Sequence, residues 1–441
     1  MWFHIFTYQE LNKMNDLLKL KNKIESIIII SLPFWMIFSR FMLEFCLVII
    51  SILFLVKIVK NNNYKIFNNH FIFFFTSFYF LLLLSFAFSQ EKLNILSILF
   101  YFRFGLYVMA IYYFLNEEKI IVKYFLNAIV IIILSLFFDS LIQYFFGQNL
   151  IGLKNSEIHR ITSFFGDEQV LGGYVVRLFP FLLLLKNITD KSLKKTNYLI
   201  SLAIFVSPII IFLSGERVAI VLFFLMISYY LVFFTRSKKF KFLYFFVLFS
   251  TLSIGALLYS SNVYYDRYIS STYQSFFNKT FSQNDYFLPE KYQKGKFYIF
   301  SAQHQNFIYT GINIFKKNKL LGSGPKSFRY VCDNKNYKIN DMSCNTHPHN
   351  YYLQVLIETG LLGFIFLFSA YLYVIYRSFI NFIRLLKNQY LNLSEVVILG
   401  FYFTQFWPVM QHGSFFNNWN SIMLFLPIAF LLFFKEKELV N

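Results

Sequence analysis

The chain carries little charge for its size: of 441 residues only 14% are Asp, Glu, Lys or Arg, while 57% are hydrophobic and the mean hydropathy is +0.52. A soluble domain has about 25% charged residues, so a water-soluble enzyme or binding module is excluded. Cysteine is scarce, three residues in all, which excludes a disulfide scaffold. Arginine is scarcer than lysine, ten of 41 basic residues, so an Arg at an awkward position is the more informative of the two. There is no internal repeat of 20–50 residues and no low-complexity tail. A cleavable leader is not expected either: residues 1–23 are polar and basic, and the first apolar run leads directly into a second.

What is abundant is apolar. The 63 Phe accompany many Ile, Leu, Lys, Asn and Tyr, a bias that an AT-rich genome produces without selection for aromatics, so no function is read from them. A bilayer of about 30 Å needs roughly 17–25 apolar residues per crossing. Twelve runs qualify, near 24–39, 41–58, 70–88, 95–115, 120–146, 168–186, 197–213, 217–234, 240–259, 351–376, 394–411 and 417–434. The first two are parted only by Ser39-Arg40 and read as a hairpin or as one long kinked helix. The expectation is an all-α polytopic membrane protein of about 12 transmembrane helices, with one large periplasmic loop between helices 9 and 10.

The net charge of +19 would suit a polyanion, but the basic residues lie mostly in short loops between apolar runs and so report topology. With the N-terminus inside, 22 basic residues fall in cytoplasmic segments against five in short outer loops (Arg40, Lys92, Lys154, Arg160 and Arg217). No nucleic-acid partner is expected. The organisation is then a cytoplasmic segment 1–23, helices 1–9 over 24–259, a periplasmic loop 260–350, helices 10–12 over 351–434, and a cytoplasmic tail 435–441. Loops that long are exempt from the charge rule and are usually functional. Residues 260–340 give only short amphipathic pieces, with helix near 297–318.

Unusual polar residues gather on the outer side. Arg160, Glu216 and Arg217 lie at short outer loops; His347 and His349 end the large loop, where His347-Pro348-His349-Asn350-Tyr351-Tyr352-Leu353-Gln354 opens an apolar helix. Guanidinium forks and a neutral imidazole at an outer surface suit a lipid-linked diphosphate: Arg donates to phosphoryl oxygens and His takes a hydroxyl proton. Each residue also has a plainer reading, the arginines reaching for headgroups and the histidines capping a helix or facing water. Arg103 and Arg177 lie inside apolar runs, where insertion costs at least roughly 2.5–3.5 kcal/mol, so each is expected to face a cavity or a partner. For Arg177 those partners are a polyprenyl diphosphate, Asp139 or Glu358. In an oxidising periplasm Cys332 and Cys344 would form a disulfide, with free thiols or a zinc site shared with the histidines as alternatives; Cys-x11-Cys-x2-His-x-His matches no common structural zinc pattern. His412 sits in a last outer loop between Trp407 and Trp419, with acceptor binding as an outside possibility.

These pieces resemble the O-antigen ligase and polymerase superfamily of bacterial envelope glycosyltransferases. The resemblance rests on His349-Asn350-Tyr351-Tyr352-Leu353-Gln354 followed by Glu358-Thr359-Gly360-Leu361-Leu362-Gly363, on the Arg160 segment with Gly166-Asp167-Glu168 and Gly172-Gly173-Tyr174, and on Ser214-Gly215-Glu216-Arg217. It implies transfer of a glycan from undecaprenyl diphosphate to an acceptor sugar hydroxyl at the periplasmic face of the inner membrane, with no metal or other cofactor. His349 takes the part of the family's essential histidine, and Arg160 and Arg217 hold the diphosphate with Arg177 beside them. His347, Asn350, Glu358 and Glu216 support them. The acceptor is lipid A core for a ligase and a lipid-linked glycan for a polymerase; a protein O-oligosaccharyltransferase belongs to the same superfamily. A transporter or flippase for the lipid-linked sugar is the reading from another class, disfavoured by the absence of repeats and of a midplane polar site.

Overall fold

The computed structural model describes residues 23–89, 95–154, 160–190, 192–234, 246, 249–250, 261–277 and 301–440. Among them helices dominate, and the one non-helical pairing is an isolated bridge between Gln148 and Lys154. Lipid offers no partner for backbone N–H and C=O groups, so apolar runs must satisfy them internally, as helices do. Helices α1 Ile24–Phe38, α2 Arg40–Asn61, α3 His70–Phe88, α4 Ile95–Glu117, α5 Ile120–Phe146, α6 Leu171–Ile188, α7 Lys194–Leu213 and α8 Arg217–Phe234 precede the large loop. Within the loop lies α9, Ala302–Lys317, and after it come α10 Tyr351–Leu386, α11 Leu393–Gln405 and α12 Asn418–Val440.

The chain is an all-α polytopic membrane protein. Nine of these helices, α2 to α8, α10 and α12, are long and apolar enough to cross a bilayer, and α1 and α11 are shorter apolar helices. The expected span 240–259 lies mostly outside the described residues, as do the N-terminal segment up to residue 22 and His159. The ambiguity at Ser39 resolves into two helices packed on one another: Ser39 is extended and its hydroxyl accepts the Met42 N–H, capping α2. Two other spans differ from the hydropathy reading. Helix α11 stops at Gln405, short of Trp407-Pro408, where proline disfavours helix in the residue before it. Helix α10 runs 36 residues but is broken at Gly360.

Helix α6 sits innermost among the membrane-crossing helices, packed by α5, α7, α8 and α11. Buried tyrosine hydroxyls tie helices together: Tyr174 donates to Pro33 O, Tyr230 to Val397 O and Tyr402 to Leu424 O, each at 2.6–2.7 Å. At one end of the bundle ion pairs join Lys57 to Glu25 and Glu117 (both 2.8 Å), Lys23 to Glu118, and Arg377 to Glu395 (2.6 Å). The opposite end collects the starts of α2, α6, α8, α10 and α12, and with them every site residue named from the sequence.

Candidate active site

Asn350 builds the entrance to α10. Its side-chain oxygen accepts the Leu353 N–H (3.0 Å), capping the helix, while its amide donates to Pro408 O (2.8 Å) and Met410 O (2.9 Å). The residue before it, His349, has a left-handed backbone (φ 57°), and its carbonyl accepts the His412 N–H at 2.8 Å. A non-glycine residue in that region is uncommon, and here it is held from both sides. One turn on, Gln354 takes the Phe415 N–H (2.8 Å) and donates to Ser414 and Glu358 (both 3.1 Å). Polar side chains of the motif thus staple the α11–α12 connection onto α10.

The second half of the motif is a helix break. Around Gly360 the backbone of α10 pairs with the loop: Ser323 N–H with Ile357 O, Gly324 N–H with Glu358 O, and Leu361 N–H with Lys319 O, at 2.8–2.9 Å. Glu358, fully buried, accepts the Lys326 N–H (2.9 Å) and the Phe328 N–H (3.2 Å). Its role is that of a clamp on this loop. Helix α9 lies along the first half of α10, with Phe307 and Ile314 packed near Ile357. Cys332 and Cys344 are joined as a disulfide, Cα atoms 5.0 Å apart, closing the loop directly before the histidines.

Three imidazoles meet here. The His349 ring lies 4.1 Å from His347 and 5.4 Å from His304 of α9, centroid to centroid, and stacks on Phe307 at 5.6 Å. His349 Nε2 contacts the Asn345 amide at 3.2 Å, and His304 Nδ1 meets Ser301 Oγ at 2.7 Å. Burial holds His349 below the ordinary imidazole value. Burial, then the neighbouring His349 and Arg217, take His304 down to about 4; burial and His349 take His347 down to about 3. His412, 6% exposed and stacked on Tyr351 at 4.3 Å, is held at about 3 by burial and the Arg177 charge. All four rings are therefore neutral near pH 7.

This predicts acid lability. Below pH 6.5 the unfolded chain binds protons that the folded rings refuse until about pH 4 (His304) or about 3 (His347, His412), so stability falls as pH drops through that window. The buried Glu216 carboxyl, raised to about 7, pulls the other way over this range, so the effect of the rings is read by difference: from pH 7 to 4.5 the melting temperature of wild type should fall relative to that of His412→Phe, which keeps the stack on Tyr351. A constant difference between the two would overturn the account.

The arginines come from other elements. Glu216 connects two of them: its carboxylate accepts the Gly172 N–H (2.6 Å) and Gly173 N–H (3.1 Å) at the start of α6, beside Arg160 and Arg177. Burial pushes this carboxyl up to about 7, against the pull of those N–H groups and of both arginines. Arg217, opening α8, reaches Thr272 and Ser275 (both 3.3 Å) and has Arg160 and Arg267 as charged neighbours. Arg177 faces inward as expected, but its partners are Gln405 (3.0 Å) and the Trp419 ring (5.4 Å), with Tyr351 beside it. Asp139 and Glu358 are engaged elsewhere: Asp139 holds Asn149, the Leu150 N–H and Ser163. Glu168 pairs with Arg40.

Residues 202–368 match the O-antigen ligase family model. The match supports the O-antigen ligase and polymerase superfamily for this chain and a ligase-like function. No curated protein matches it. The matched stretch runs from α7 through the loop into α10, taking in Glu216, Arg217, His304, His347, His349 and Glu358; Arg160, Arg177 and His412 lie outside it. His304 and Arg267 were not singled out by the sequence reading. The amphipathic helix near 297–318 held the signal for His304, and the rarity of arginine the signal for Arg267.

Proposed function

We propose that the protein is a glycosyltransferase of the O-antigen ligase type, moving a glycan from undecaprenyl diphosphate to a sugar hydroxyl of lipid A core. The O-antigen ligase match over the segment that carries both Arg217 and His349 supports this reading most directly. In the reaction the acceptor oxygen bonds to the anomeric carbon as the bond from that carbon to the diphosphate oxygen breaks. The hydroxyl proton passes to His349, and undecaprenyl diphosphate leaves with the bonding electron pair. Burial keeps His349 unprotonated at neutral pH, as a base must be.

Arg160 and Arg217, with Arg177 behind Glu216, would match the charge that grows on the leaving diphosphate; fixed guanidinium donors stabilise such charge without reorganising. His347, Asn350 and Glu358 would hold the imidazole and its loop in place. The protein would lie in the bacterial inner membrane with both termini cytoplasmic and residues 260–350 periplasmic.

The test is reconstitution of the purified protein with undecaprenyl-diphosphate-linked glycan and lipid A core, with and without EDTA, beside Arg217→Ala. Product on lipid A core that survives EDTA and drops about 10²-fold in the variant is the expected result. A ladder of longer lipid-linked glycans without core acceptor would reassign the enzyme as a polymerase. Failure of both, with movement of lipid-linked sugar across vesicles instead, would replace the enzyme with a transporter.

A further inference from the structure

His349 can act as a base only through a ring nitrogen that carries no proton, and its hydrogen bond to Asn345 bears on which one that is. The Asn345 amide nitrogen lies 3.2 Å from His349 Nε2. Which amide atom faces the ring follows from what the other one does: Asn345 Oδ1 accepts the Thr346 N–H at 2.6 Å and lies 3.4 Å from Thr346 Oγ1. The oxygen is thus spent on the next residue, and the NH2 group, which only donates, is turned to the imidazole. Nε2 is therefore the acceptor. A neutral imidazole has a single acceptor nitrogen, so the ring proton sits on Nδ1.

Amide and ring are both held where they meet. Cys344, the residue before Asn345, is bonded to the fully buried Cys332, which packs with Phe307, Ile314 and Ile357 where α9 meets α10. On the other side of Asn345, Thr346 Oγ1 meets His347 Nδ1 at 2.9 Å. The ring stacks on Phe307, and the His349 carbonyl is tied to the His412 N–H of the α11–α12 connection. The titratable groups around the ring are His304 of α9 and His347 of the loop, with Arg217 acting on the first and Arg329 on the second. None of these is a carboxylate, the partner that would draw the ring proton to itself. A donor on Nε2 also favours the unprotonated ring, the direction in which burial already holds it.

We propose that Asn345 is a positioning residue for His349: its amide N–H selects the tautomer with the proton on Nδ1 and keeps Nε2 as the basic nitrogen, at the place the acceptor hydroxyl takes. The hydroxyl rests on the glycan-transfer reading; the tautomer does not. On binding, the hydroxyl replaces the amide as the donor to Nε2. As its oxygen bonds to the anomeric carbon its proton moves to Nε2, and the ring carries a proton on each nitrogen until it gives that one to solvent. Asn345→Asp reverses the arrangement at nearly the same shape. One carboxylate oxygen can still accept the Thr346 N–H, while the other can only accept and so draws the ring proton onto Nε2.

The experiment is ring-nitrogen NMR on the full chain in detergent with isotope-labelled histidine, which needs no turnover, because a bare imidazole nitrogen and one bearing hydrogen give separate signals. The His349 signals are those missing from His349→Asn. In wild type at neutral pH, Nδ1 should carry the proton and Nε2 should be bare. In Asn345→Asp the two should be exchanged, and the ring should take up its second proton about one pH unit or more above wild type. Glycan transfer by this variant in the reconstitution above should fall about 10²-fold or more. Asn345→Ala, which also serves should Asn345→Asp misfold, should show both tautomers.

A proton on Nε2 in wild type, or the same tautomer and titration in wild type and both variants, overturns the proposal. So does transfer at the wild-type rate by Asn345→Asp once its exchanged tautomer is established, since the nitrogen facing residue 345 would then not be the base. The expected tautomers in a protein that transfers no glycan would sink the enzyme reading and leave the hold of Asn345 on the ring standing.

Discussion

Replacing His349 with alanine is expected to slow glycan transfer by about 10²–10⁴-fold, the usual worth of a positioned general base, while the protein still folds. The separation is possible because neighbouring residues do the structural work. Asn350 caps α10 and ties down the α11–α12 connection, and the contact of that connection with residue 349 runs through the His349 carbonyl, which alanine retains. His349→Asn is the companion variant, because asparagine tolerates the left-handed backbone (φ 57°) better than alanine. Both should elute and melt like wild type and both should be inactive.

The pH profile adds a second readout. Since burial holds the ring below its ordinary value, the loss of rate as the base takes up a proton should set in at a lower pH than an ordinary imidazole would give, and this limb should be missing from the residual rate of the variants. Residual activity within tenfold of wild type in either variant would move the base to another group, with His304 and His347 the nearest candidates.

Much of the bundle was legible from hydropathy because lipid leaves an apolar run of twenty residues few alternatives to a helix. Helices α3 and α5 have the residues expected of them. Less legible were ends and breaks set by single residues in tertiary contact. The run 351–376 gave no hint that α10 continues to Leu386, because its later residues, such as Arg377 and Asn381, are polar and reach Glu395 of α11. Hydropathy averages over such pairs.

The site divided in the same way. His349, Asn350 and Glu358 could be found together because they share one stretch of helix, and the rare arginines stood out by type. Pairings were beyond reach. Nothing in one sequence says that Asp139 turns inward to hold Asn149, Leu150 and Ser163 and is thereby taken from Arg177, or that Gln405, far beyond the histidines in the chain, waits for that guanidinium. His304 joined the imidazoles only because α9 packs along α10, a contact made by Phe307, Ile314 and Ile357 across the segment between Lys317 and Tyr351.

Gly360→Ala should be among the most damaging conservative changes at the described residues. With φ 69° and ψ −165° this residue occupies a region essentially reserved for glycine, and forcing alanine into it costs about 1–3 kcal/mol. A Cβ would also overlap the Leu320 carbonyl and lie 2.6 Å from the Leu321 N, so a backbone segment would have to move, at roughly another 1–3 kcal/mol. That displacement would pull apart the pairing of residues 319–324 with 357–362, releasing the loop that Glu358 holds and, through it, Lys326 and the disulfide-closed segment before the histidines. Set against a total stability of about 5–15 kcal/mol, the sum is enough to deplete folded protein. Gly147→Ala serves as the control, because Gly147 also has positive φ (73°) but open space where a Cβ would stand. Fluorescence-detected size exclusion and melting should show Gly147→Ala mildly weakened and Gly360→Ala largely unfolded or aggregated. If the two behaved alike, the close approach at Leu320 would not be what fixes the break, and the glycine of this motif would owe its place to backbone conformation alone.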